Sequence, residues 1–248
     1  MLTLKSEPIP DSPSPDRTLR MAPHTIISYD DTQNDQDALM LARLLGQAGS
    51  RLTLAYVRHI TQPQRSREEL DQQAAKALLD RGAVWLGDDD VQRRVVVNAS
   101  TAAGLTALAE QEDADVVVFG SDYRTAAGHV APGRSAQALL DGGPAAVAIA
   151  PAGYRTDNVT HVDWIGVLPG SADDAALETA RSLADHLDAE LTDAHRGIDL
   201  LVVGSRQEAH EGRVMITAQA QNAVEQATCP VLVVARGVPI RFQTLVTA

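Results

Sequence analysis

The sequence predicts an α/β protein, a parallel sheet with helices on both faces, present once as a complete five-stranded unit and again as a shortened copy. Three observations carry that expectation. Apolar runs of strand length alternate with segments of helical periodicity from His24 onward, the pattern of right-handed crossovers in a parallel sheet. The runs VVVF (116–119) and VAIA (147–150) show no polar alternation, which suits strands covered on both faces. The second half also repeats stretches of the first at a fixed spacing.

Taken in order, His24–Tyr29 is the first expected strand. A helix over Asp37–Gly49 follows, with Leu39, Leu41, Ala42, Leu44 and Leu45 on one side. The polar cluster ahead of it caps the helix, with Asn34 or Asp35 as the N-cap. Leu52–Val57 is the second strand, and Ser66–Leu86 a long helix that stops near Gly87 and three aspartates. Arg94–Asn98 is the third strand, and Thr101–Gln111 a helix with Thr101 as its cap. Val116–Phe119, Ser135–Leu140 and Ala146–Ala150 complete the unit as strand, helix and strand.

The pattern then restarts. ADVVVFGSDYR (114–124) matches IDLLVVGSRQE (198–208) at an offset of 84, which carries Gly120 to Gly204. The same offset carries AAVAIAPAG (145–153) onto CPVLVVARG (229–237). DALMLARLL (37–45) matches AALETARSL (175–183) at an offset of 138, so 54 residues are missing from the middle of the second copy. They correspond to a helix, a strand and a helix. Only Arg196 and Gly197 separate Glu190–His195 from the strand at Ile198, whereas a parallel crossover takes a dozen or more residues. Glu190–His195 is therefore expected to be irregular, helical or an antiparallel arm. That leaves three parallel strands in the second unit, Trp164–Leu168, Leu200–Val203 and Val231–Val234.

Composition bounds the rest. Hydrophobic residues make up 44% and aromatic residues 3%, so the core is Ala, Val, Leu and Ile. A net charge of −12 repels phosphate backbones, so no nucleic-acid partner is expected. The single Cys229 precedes an apolar run and reads as a small buried hydrophobe. No run reaches membrane-spanning length and the N-terminus lacks an apolar signal core, so a cytoplasmic protein without a membrane partner is expected. Residues 1–22, rich in Pro, Ser and charge, read as a disordered tail, or as an extension before a true start at Met21. The chain divides into that tail, a complete unit at 23–154, a truncated unit at 160–237 and a C-terminal tail at 238–248.

At IISYDDT (26–32), the glycine loop after the fourth strand, and the endings GGPAAVAIAP and ATCPVLVVARG, the chain resembles the universal stress protein family in its tandem form. The resemblance implies a Rossmann-like five-stranded parallel sheet, pairing through fifth-strand edges within the chain or in a homodimer, and a regulatory role in stress response. It also implies an adenine nucleotide, ATP with Mg, in members that keep the pattern Gly-x2-Gly-x9-Gly-Ser/Thr. Laid on this chain, that pattern gives Gly120, Tyr123, Gly133 and Arg134, with Ser135 next. The resemblance further places Asp30 at the ribose and Val57 at the adenine.

The residues themselves allow two readings of this loop. Gly120 ends a strand and Gly133 opens a helix, both good places for a phosphate. Tyr123 puts a ring where the phosphates would lie, and a positive φ there would be strained by about 1–3 kcal/mol. Arg124, His129 and Arg134 form a basic set on one loop of an acidic protein, either clamping a phosphate or simply solvated. Asp30 is a ribose ligand or one of the capping acids. The second unit keeps Gly204 and Ser205 but has Gln207 and Thr217 at the other glycine positions and no first-strand acid, so its expected work is structural.

No Gly-x-Ser-x-Gly elbow, Walker lysine, dinucleotide fingerprint or His/Cys metal spacing is present, so catalysis is not expected. Two functions remain: a regulator binding ATP or a related nucleotide in the first unit, and a nucleotide-free dimerising scaffold.

Overall fold

His24–Ser28 (β1) is buried at all of its positions, with Ile26 facing one side of the sheet and Ile27 the other. That alternation of two buried faces runs through the computed structural model, which describes residues 22–59, 65–156, 161–170, 173–194 and 196–243, with backbone only for 65–70. The proposed N-terminal tail, Met21 and His195 lie outside the described residues.

After β1 come α1 (Gln33–Gln47), β2 (Arg51–His59), α2 (Arg65–Leu86), β3 (Gln92–Asn98), α3 (Thr101–Gln111), β4 (Val116–Gly120), α4 (Arg134–Leu140) and β5 (Ala146–Ala150). The second half supplies β6 (Trp164–Leu168), α5 (Ala175–Leu187), β7 (Glu190–Thr192), β8 (Leu200–Gly204), α6 (Ala218–Gln226) and β9 (Val231–Val234). Among the described residues, these nine strands form one sheet in the order β3-β2-β1-β4-β5-β9-β8-β6-β7. Every pairing is parallel except β5 with β9. Helices α1, α2 and α5 cover one face, and α3, α4 and α6 the other.

Two caps differ from expectation. Thr32, not Asn34 or Asp35, is the N-cap of α1, and Asp35 sits at the third helical position, where its carboxylate returns to the Thr32 amide at 2.9 Å. Ser100, not Thr101, caps α3 through the Ala103 amide. Helix α1 starts four residues earlier than apolar periodicity suggests, because the Thr32 hydroxyl upstream reaches the free amides first, whereas α3 spans Thr101–Gln111 as expected and only its cap lies one residue upstream.

The second unit has four parallel strands, not three. Glu190–Thr192 pairs parallel to β6 on the side away from β8. The crossover rule fails here for two local reasons. A three-residue strand climbs only about 7–10 Å, so a short return suffices. The return also lies directly on the sheet, with no helix layer between. A Cβ at Gly166 in β6 would stand 2.5 Å from the Ala194 carbonyl oxygen and 2.5 Å from Ile198 Cδ1. Glycine at 166 is what lets the backbone cross.

The repeat persists at the level of single hydrogen bonds. Ser121 Oγ donates to the Ala150 carbonyl at 2.7 Å and accepts from the Ala131 amide at 3.2 Å; Ser205 does the same with Val234 and Met215 at the same distances. Each loop after the central strand also reaches into the other half. The Val130 amide donates to Ala227, and the Val214 amide to Gly143. The chain then closes over α5: the Ile240 and Phe242 amides donate to Thr179 Oγ1 and Ser182 Oγ, and both side chains are buried.

Candidate functional site

Of the expected site residues, Asp30 precedes the N-terminus of α1, Gly120 packs against that helix start, and Val57 shares a cleft with Asp30. Asp30 and Asp31 form the turn into that helix. Asp31 has φ 62°, and its carboxylate accepts from Tyr29 Oη at 2.7 Å and from Arg81 Nε at 2.8 Å. Those two donors hold the Asp31 carboxyl below the usual range, the Tyr29 hydrogen bond first. Tyr29 is fully buried with its ring against Gly82 of α2, and burial pushes its hydroxyl pKa up. The turn is thus pinned from below by a phenol and from the side by a guanidinium.

Asp30 is presented into a cleft of about 590 Å³ between β2 and α2, whose rim carries Arg58, His59 and Arg81. Its residue surface is open to solvent, yet its carboxyl is crowded enough that desolvation, and then the Asp35 carboxylate, push its pKa up to about 6, against the opposite pull of His59. Burial likewise raises Asp35. Arg58 lies 3.8 Å from Asp71 across the cleft. None of Arg58, His59 and Arg81 was singled out in the sequence. A signal was available, since Asp71, Ala74, Ala75, Leu78 and Arg81 line the cleft at helical spacing.

The other expected residues are arranged for different work. Gly120 is needed for packing, because a Cβ there would run into the Asn34 carbonyl at the start of α1. The Asn34 side-chain amide donates to the Ser121 carbonyl at 2.6 Å and completes the contact. Val57 also lines the Asp30 cleft; it is 3% exposed and meets α3, where a Cβ on Gly104 would stand 2.7 Å from its Cγ1. Gly133 caps α4 at φ −69°, a conformation open to any residue, and a Cβ there would meet nothing within 4 Å. Arg134 is exposed, and Arg134 and Ser135 form the first turn of α4.

Tyr123 departs from expectation. Its ring is 73% exposed, with the Arg124 guanidinium 4.9 Å from its centroid, and among the described residues the non-glycine positive-φ positions are Asp31, Asp113 and Asp188. No strain is stored at 123. The loop instead closes on itself. Ser121 and Pro132 form an antiparallel bridge. The amides of Asp122, Arg124, Thr125, Gly128, His129, Val130 and Ala131 all donate within the protein. His129 lines a separate cleft, shared with Arg196, Gln226 and Cys229 of the second half, because Val130 is drawn across to Ala227.

Much of the 121–132 loop is therefore committed: seven of its amides donate within the protein, and the space beside Gly120 is filled by the start of α1. The N-terminus of α4 differs, since its N-cap Gly133 makes no side-chain cap bond to the first-turn amides. Among the described residues, no group of three or more His, Cys, Asp or Glu could hold a metal ion. No helix among them is long and apolar enough to cross a membrane.

Sequence comparison agrees with the doubled sheet. The model of the universal stress protein family matches residues 21–151 and again 189–235. The chain belongs to the universal stress protein family. Among solved structures, a universal stress protein from Archaeoglobus fulgidus is similar, with a TM-score of 0.64 and 12% identity over 86% of this chain and 98% of that one. A universal stress protein from Pseudomonas aeruginosa UCBPP-PA14 gives a TM-score of 0.58 at 14% identity over 86% and 93%. A functionally unknown protein from Pseudomonas aeruginosa PAO1 gives 0.56 at 14% identity over 86% and 92%. At these identities the likeness is one of fold. No curated protein matches the chain at a significant level.

Proposed function

We propose that this universal stress protein works without a nucleotide in its glycine loop, as a non-catalytic stress-response scaffold whose two halves are locked together through that loop. The observation that supports this reading is the use of the 121–132 segment. Its amides bond to its own carbonyls, to Ala152 and to Ala227, and the equivalent second-half loop reaches Gly143 in the same way. A loop that serves as a clasp in both copies has no need of phosphate in either. Thermal denaturation with ATP and magnesium tests it. A ligand at one hundred times its Kd adds about 2.7 kcal/mol of stability, so an unchanged midpoint at millimolar ATP is the expected result. A saturable upward shift overturns it.

A second reading is favoured by one observation, the Asp30 cleft with Arg58, His59 and Arg81 on its rim. An adenine nucleotide would sit there, with the ribose at Asp30 and the phosphates toward the arginines instead of the glycine loop. A nucleotide-dependent shift that vanishes in Asp30→Ala and survives Gly133→Ala selects this reading.

A further inference from the structure

The loop after β8 carries Arg213, whose guanidinium lies 3.1 Å from Glu110 on the last turn of α3. The repeat offset of 84 pairs Arg213 with His129 on the loop after β4, and the backbone agrees: Val214 bonds to Gly143 as Val130 bonds to Ala227. On the Arg213 side, the end of α3 brings a carboxylate to the guanidinium. On the His129 side, that helix is among the 54 residues the second copy lacks. Ala194 in the short return from β7 to β8 stands at the position 84 residues after Glu110.

What remains is a cleft of about 560 Å³. Its floor includes Ile198 and Cys229, both nearly buried, and its rim His129, Arg196, Glu225 and Gln226. Burial, then Asp199, pushes the Cys229 thiol up to about 12, so the cysteine is part of an apolar floor and not a nucleophile. Arg196 reaches the Gln226 side chain at 3.4 Å, and among the described residues neither His129 nor Arg196 has an ion pair. Arg196 and His129 both carry N–H donors for an acidic group, against the single carboxylate of Glu225.

We infer that this cleft docks the acidic C-terminal end of a partner's helix, of the kind that α3 presents to Arg213 within the chain. Three features favour a helix end over a free carboxylate. The internal template is one, the vacancy arises by loss of one, and the C-terminal dipole adds negative charge beside His129 and Arg196. The inference names a partner surface for the scaffold proposed above and rests on that reading for its purpose. Its test contains no nucleotide, so either can fail alone.

The probe is a fluorescein-labelled peptide of residues 101–113, Thr-Ala-Ala-Gly-Leu-Thr-Ala-Leu-Ala-Glu-Gln-Glu-Asp, titrated with the full chain and followed by anisotropy. Saturable binding is expected, weakened about tenfold or more by the double variant His129→Glu with Arg196→Glu, a loss of about 1.4 kcal/mol. The peptide carrying Glu110→Lys should bind the unaltered chain as weakly and regain affinity for the double variant. The reversed-charge peptide keeps the test sound even if the double variant folds poorly, because it needs only the native chain. Absence of saturable binding, or equal affinity of both peptides for the native chain, overturns the inference.

Discussion

Ala148 lies opposite Leu232 in the antiparallel join between β5 and β9, and the two are equivalent positions of the repeat. The flanking pairs, Val147 with Val233 and Ile149 with Val231, are exchanged by the same relation. A local twofold axis therefore passes between Ala148 and Leu232, and the halves meet as two subunits of a symmetric dimer would.

A charge at this join has no escape to water. Val147 and Val233 are both fully buried. Val147→Asp and Val233→Asp should each cost about 3–5 kcal/mol, the penalty of an uncompensated buried charge. Urea unfolding followed by circular dichroism measures it, and the two losses should be similar because the two side chains stand opposite each other in one antiparallel pair. A much smaller loss at Val233 would show that the second half contributes little to the stability of the first.

The glycines of the loop make a sharper test, because their roles differ. Gly120→Ala should cost about 1–3 kcal/mol by forcing α1 off the strand tip. Gly133→Ala, with an ordinary φ and open space, should fall within about 0.5 kcal/mol of the parent. Denaturant midpoints distinguish the two. A loop built to cradle phosphate would need both glycines for the ligand, and both variants would then lose an ATP-dependent shift.

Asp37 is the anchor of α1. It is fully buried, and its carboxylate accepts from the Gly153 and Arg155 amides, each at 2.8 Å, and from Arg155 Nη1 at 3.0 Å. Asp37→Ala leaves two amides and a guanidinium without their acceptor and should cost about 3–5 kcal/mol. Asp37→Asn, which retains one acceptor oxygen, should lose less. Equal losses in the two variants would mean that the cavity, and not the hydrogen bonds, sets the penalty.

Asp30 gives the protein a pH signature. Its folded-state pKa, about 6, lies above the ordinary carboxyl value of 3.8. Between those values the folded state binds more protons than the unfolded chain, so this group's contribution to stability declines as pH rises from about 4 to 6 and stays constant above. Asp30→Asn removes the decline. The variant should gain on the parent in melting temperature across that window, and a gap that does not change with pH would refute the assignment.

Much of this architecture was legible in the residues. The offset of 84 carries hydrogen bonds as well as letters, since Ser121 and Ser205 make the same two bonds. Unpatterned apolar runs announced strands covered on both faces. The β7 strand was not legible, because its existence turns on Gly166 being small enough for a backbone to pass, a contact between residues 28 or more apart in sequence. At the candidate site the sequence located Asp30 but not its neighbours Arg58, His59 and Arg81. It placed His129 beside Arg134 because the loop is continuous, whereas the bond from Val130 to Ala227 carries it to the other half. Whether a loop amide is free or occupied is a property of tertiary closure, and no spacing of glycines reveals it.

The order of strands also has a bearing on biosynthesis. β5 is complete at residue 150, but β9, its neighbour, ends only at residue 234. At about 5–20 residues per second of translation, a nascent chain waits roughly 4–17 s with that margin bare. Until then β5 presents unpaired backbone groups along that margin, the kind of edge that invites pairing with another chain.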